Sequence, residues 1–271
     1  MDDSIIFDSV THLTERQRGC AVLCASHGGI YAGYVAAKIG IRAIALCDAG
    51  IGRERAGVAG LELLEDLEVP AVAIAHTSAR IGDGEDCMTR GIISCANTPA
   101  RALGLAPGAT ASAALTRMSE IDKVAPPPPP PSRESRHVIT YDGARVVLID
   151  SAGLMADEDA GEIVVTGSHG GLLGGRAEAA AKASAYAAVF NDAGGGIDGA
   201  GVSRLPSLES RGIAGACVSA FSARIGDARS TYEDGFVSAL NETARSRGGE
   251  IGQSCRAFAA AMAAAREDER P

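Results

Sequence analysis

The stretch Cys20-Ala21-Val22-Leu23-Cys24-Ala25-Ser26-His27-Gly28-Gly29 decides how the chain is read. Six apolar residues run unbroken into Ser-His, and a Gly-Gly pair separates them from an Ala-rich stretch. An apolar run without alternation fits a strand buried on both faces, as in a parallel sheet covered by helices. The closing motif is written a second time, as Ser168-His169-Gly170-Gly171, after the apolar run 163–166.

The self-similarity extends in both directions. Asp8-Ser9 matches Asp150-Ser151, and Gly19 matches Gly161. The second copy then carries two extra residues, after which Asp48-Ala49-Gly50 meets Asp192-Ala193-Gly194. The longest identity is six residues, Ser78-Ala79-Arg80-Ile81-Gly82-Asp83 against Ser222-Ala223-Arg224-Ile225-Gly226-Asp227. Further on, Asn97 meets Asn241 and Met118 meets Met262 in the same register. Matches of this kind mark an internal repeat.

Apolar runs alternating with helical patterns predict an α/β fold: two tandem βαβαβα repeats with mainly parallel sheets, related by a pseudo-two-fold. Residues 1–118 form the first repeat and 146–271 the second, which ends in a helix. Residues 119–145 form a Pro-rich linker. In the first repeat, strands are expected at 5–7, 20–25, 42–47 and 71–75. Helices are expected at 30–39, 56–67, 85–103 and 109–118, with a matching helix after Gly171 in the second. Pro126 to Pro131 reads as an extended tether, and Asp142-Gly143 as a hairpin turn.

The net charge is −9 and aromatic residues make up only 4% of the chain, with no tryptophan. Both features disfavour nucleic acid, and the charge disfavours anionic membranes. No apolar run approaches the roughly 18 residues of a membrane span, and no signal peptide is read at the start. The seven cysteines include no C-x-x-C pair. They predict free thiols and a cytoplasmic protein. A homo-oligomer is compatible with the Ala-rich helices.

In open parallel sheets, ligands bind beyond the carboxyl ends of the strands. The repeated polar residues fall there. His27 and His169 are candidate acid–base groups, with Asp48 to orient His27. Ser78 and Cys47 are candidate nucleophiles. The amides of Gly28, Gly29, Gly170 and Gly171 are candidate oxyanion or anion donors. Arg80 suits a carboxylate, and Asp83, Asp192, Ser222, Arg224 and Asp227 complete the substrate-binding set.

Gly194-x-Gly196-x-x-Gly199 fits a dinucleotide loop, but no acidic residue ends the next strand and the first copy breaks the pattern. No cofactor is expected. His27, Asp48, His76 and Asp83 lack the short spacing of metal ligands, so no metal is expected either.

These groups predict a small-molecule enzyme acting on a small anionic partner. The first expectation is a hydrolase of a carboxylated amide, ester or ring. The second is a two-base isomerase or racemase using His27 and His169. The third is a non-catalytic protein that binds a small anion.

Overall fold

The structure, a computed structural model, describes residues 5–122, 133–141 and 144–269. The expected polyproline tether and the Asp142-Gly143 turn lie outside the described residues.

The first half builds one sheet from β1 (Ile6–Phe7), β2 (Ala21–His27), β3 (Ala43–Cys47), β4 (Ala71–Ile74) and β5 (Ile93–Ala96). The strands lie in chain order; β1 to β4 are parallel and β5 is antiparallel to β4. Its helices are α1 (Ile30–Ile39), α2 (Ala59–Asp66), α3 (Gly84–Arg90), α4 (Thr98–Ala102) and α5 (Ala111–Ser119). Strand residues alternate between two cores. Val22, Cys24, Ile44 and Leu46 pack with apolar residues of α1 and α2. Leu23, Ala25, Ala45 and Val72 pack with Cys87 of α3 and Leu115 and Met118 of α5. The apolar runs are unbroken because both faces are covered.

The second half builds a sheet from β6 (Arg136–Tyr141), β7 (Ala144–Ile149), β8 (Ile163–His169), β9 (Ala187–Asn191), β10 (Ala214–Val218) and β11 (Val237–Leu240). Strands β7 to β10 are parallel, and an antiparallel strand closes each edge. Helices α6 (Leu205–Glu209), α7 (Ala228–Asp234), α8 (Glu242–Ser246) and α9 (Cys255–Asp268) accompany it. The fold is therefore α/β, with two mixed sheets of mostly parallel strands.

Three local expectations are corrected. The stretch 85–103 is not one helix. Gly91 leaves helical geometry (φ −61°, ψ 134°), and β5 then pairs with β4 before Asn97 caps α4. The helix expected at 56–67 starts only at Ala59, because 56–58 belong to a 3-10 turn, Arg53–Val58, and Val58 leaves helical geometry at φ −129°, ψ 7°. After Gly171 the chain forms short 3-10 turns, Leu173–Gly175 and Ala177–Ala180, where the first half has α1. Gly174 and Gly175 sit at φ 57° and 66°, which an α-helix cannot accommodate.

Helices α1 and α2 pack at backbone distance through Gly33 and Gly60. A Cβ on Gly33 would lie 2.7 Å from the Gly60 carbonyl oxygen, and one on Gly60 would strike that of Gly29.

The halves meet at a seam where Gly50 and Gly194 touch; a Cβ on either would stand 2.8 Å from the Cα of the other. Main-chain hydrogen bonds cross it in matched fashion. The Arg53 amide donates to the Ala220 carbonyl and the Ile197 amide to that of His76, both at 2.8 Å.

Candidate functional site

Each Ser-His pair ends a central strand, β2 or β8. The β2–β3 ladder slips between Leu23 and His27, and the β8–β9 ladder slips between Val165 and His169. Such irregularities re-aim side chains at strand ends. Here they bring the imidazoles of the two halves together, with ring centroids 6.4 Å apart and planes at 79°. The Ser-Ala-Arg-Ile-Gly-Asp loops complete the crossing. A Cβ on Gly82 would lie 3.5 Å from Cε1 of His169, and one on Gly226 would lie 3.4 Å from Cε1 of His27.

Each ring is held by the glycines that follow it. The Gly29 amide donates to Nδ1 of His27 at 3.2 Å, and the Gly171 amide donates to Nδ1 of His169 at 3.1 Å. Gly28 and Gly170 donate to the carbonyls of Cys47 and Asn191 at 2.7 and 2.8 Å. All four amides expected to bind an oxyanion are thus occupied by the protein itself.

The same bonds fix the tautomer. An imidazole that accepts at Nδ1 and is neutral carries its proton on Nε2. Burial pushes the pKa of His27 down to about 4. Burial, the nearby Arg204 charge and His27 hold His169 well below the ordinary histidine range. No described residue hydrogen-bonds either Nε2. The pair therefore presents two neutral N–H donors.

Both rings line a cavity of about 480 Å³ between the halves. Ser26 and Ser168 line it beside them, with their hydroxyls accepting from the Val10 and Ala152 amides at 2.8 Å each. The wall also includes Ser9, Asp150 and Ser151 from the paired Asp-Ser motifs, and Tyr31, Glu134, Lys182 and Arg204. Burial and the neighbouring Asp150 raise the pKa of Glu134, against hydrogen bonds from Ser151 and Tyr31.

The other expected site residues sit elsewhere. Asp48 orients His76, not His27: its carboxylate takes the His76 Nδ1 and backbone amide at 2.9 Å each, and the Gly50 amide at 3.0 Å. Burial raises the Asp48 pKa, but these bonds and one from Ser94 outweigh it and hold the carboxyl below its usual range. Cys47 is buried with its Sγ 3.6 Å from that of Cys87. That hydrogen bond and burial raise its pKa far from a reactive thiolate. Ser78 donates to the Ala75 carbonyl and accepts from the Ile92 amide, and Ser222 does the same with Ser219 and Phe236.

Arg80 pairs with Asp86 and, across the seam, with Asp198; Arg224 pairs with Asp227 and, across the seam, with Glu54. Asp83 and Asp227 cap α3 and α7. Asp192 accepts from the Gly194 and Ala220 amides and the Ser238 hydroxyl. None of these residues lines the cavity.

Sequence reading missed Glu134, Tyr31 and Arg204. The signal for Arg204 is its position in register with Gly60, an arginine where the other copy has no side chain. Among the described residues no cluster of three or more His, Cys, Asp or Glu side chains is arranged to hold a metal ion. Nor is any helix there long and apolar enough to cross a membrane. No family model matches the chain, and neither a curated protein nor a solved structure matches it.

Proposed function

We propose that the protein is a small-molecule enzyme, a hydrolase of a small carboxylated amide, ester or ring, with its active site in the cavity between the halves. One observation carries this reading: two neutral imidazoles, one from each half, each fixed by a backbone amide so that Nε2 carries the proton. Such donors suit an oxygen that gains negative charge during reaction. In this mechanism the substrate carbonyl oxygen lies between the two Nε2–H groups. A water adds to the carbonyl carbon while Glu134, whose pKa is raised, takes a water proton. The carbon–leaving-group bond then breaks, and the proton passes to the departing nitrogen or oxygen. We place this activity in the cytoplasm, where thiols stay reduced.

The facing of His27 and His169 at 6.4 Å also favours a second reading, the two-base isomerase. That reaction needs one ring to accept a proton at Nε2, which the Nδ1 bonds oppose. The test is turnover of a panel of small carboxylated amides, esters, lactams and lactones in deuterated water. Hydrolysis products without label at the substrate α-carbon support the hydrolase. Label without hydrolysis supports the isomerase. Tight binding with no product over hours leaves an anion-binding protein and overturns both.

A further inference from the structure

Arg204 precedes α6, and its side chain turns back under the Ser-His-Gly-Gly turn of the second half. It is only 4% exposed. Its Nε donates to the Gly171 carbonyl at 3.0 Å, and its Nη1 to the carbonyls of Ala179 and Ala180 at 2.7 Å each. The guanidinium carbon lies 5.0 Å from the centroid of the Phe190 ring. Every one of these partners is neutral. Among the described residues no carboxylate pairs with Arg204, and none bonds its Nη2. By contrast, the carboxylate of Asp159, a fully buried residue, is matched at 2.6 Å by Arg136.

Burying a charge without a counter-charge is costly, and buried charges are normally paired. Burial lowers the Arg204 pKa to about 10, which still leaves it cationic at neutral pH. Arg204 lines the cavity together with Glu134 and Asp150, neither of which pairs with it, so its countercharge is left to a bound molecule.

The two halves differ here for a steric reason. The register position in the first half is Gly60, where any side chain would strike the Gly29 carbonyl under the packed α1 and α2. In the second half the 3-10 turns replace that helix, and the carbonyls of Ala179 and Ala180, in the second of these turns, receive the guanidinium. The cation therefore has no counterpart across the cavity.

We infer that Arg204 is the anion-recognition residue of the site, binding one carboxylate of the substrate through Nη2. This rests on the small-molecule reading above. One buried cation with one uncommitted amino group matches a single negative charge, as a carboxylate carries.

The test uses the full chain and sodium propionate, with sodium chloride and inorganic phosphate at matched ionic strength. Propionate is expected to stabilise the wild type against heat, saturably and at one molecule per chain, while chloride does not. In R204M, which keeps the stem and loses the charge, binding weakens at least tenfold. R204K restores part of it. Nitrogen-15 spectra of the arginine side chains, with the Arg204 signal assigned by its loss in R204K, read the contact in the wild type even where R204M fails to fold. Equal stabilisation by propionate and chloride, phosphate binding in preference to propionate, or an Arg204 signal that does not move overturns the inference. Propionate binding with no turnover of any substrate leaves Arg204's role intact and removes the hydrolase reading instead.

Discussion

The rings of His27 and His169 stand nearly perpendicular, at 79°, each pinned at Nδ1 by the amide two residues further on. Substituting either ring removes one fixed N–H donor. H27F and H169F, which keep a ring and have no N–H, are each expected to lower kcat by about 100- to 1,000-fold with little change in KM, the range found for loss of one oxyanion donor. Steady-state kinetics on a turned-over substrate checks this, and unchanged kcat in both variants would count against the site.

The buried imidazoles also set an acid limit on stability. An unfolded histidine titrates near 6.5, whereas His27 in the fold titrates at about 4. Between those values the unfolded chain holds more protons, so stability is full above pH 6.5 and falls as the pH drops toward 4. For His27 alone the loss by pH 4 is on the order of 3 kcal/mol. Urea denaturation at stepped pH should show this slope, and a flatter one in H27Q.

The opposite sign holds at the seam. The Asp48 hydrogen bond raises the pKa of His76, against its partial burial. Its contribution is therefore present below pH 6.5 and lost as pH rises through the raised value. The His76 ring proton resonance should titrate with a midpoint above 6.5 in the wild type and lower in D48N. Identical midpoints would show that the two groups are not coupled.

Asn97 and Asn241 each tie four backbone groups. Asn97 accepts from the Ala71 and Ala100 amides and donates to the Leu61 and Val69 carbonyls. Asn241 repeats this with Gly215, Ala244, Leu205 and Ile213. Alanine at either position strands several buried groups and should cost about 2–4 kcal/mol in chemical denaturation. A loss below 1 kcal/mol in both would contradict the pattern.

Thiol chemistry checks the dismissal of Cys47. Of the seven cysteines, only Cys20 and Cys95 are partly exposed. A disulfide reagent should modify at most two thiols in the native protein and seven after denaturation. Turnover should survive the native labelling.

The parallel strands were legible in the sequence because β3, β4 and β2 as far as Ala25 are covered on both faces and stay apolar. Strand β5 was not, since Ile93-Ser94-Cys95-Ala96 is short and its serine turns back to the Ala73 carbonyl. The place of the Ser-His pairs at the ends of central strands was legible, because each follows directly on an apolar run. The roles of Asp48, Arg80 and Asp83 were not. A polar residue at a strand end has the same sequence signature whether it faces a cavity, caps a helix or staples a seam. Arg204 and Glu134 depend on the lost helix and on the chain after the prolines, and neither leaves a periodic trace.

The crossing of main-chain amides at the seam, Arg53 to Ala220 and Ile197 to His76, has a consequence for how this architecture can vary. These bonds use no side chain, so the spacing of the two sheets survives replacement of the residues that face the chamber. A frame locked by peptide groups can accept new contents by point substitution, and so can acquire different chemistries without refolding.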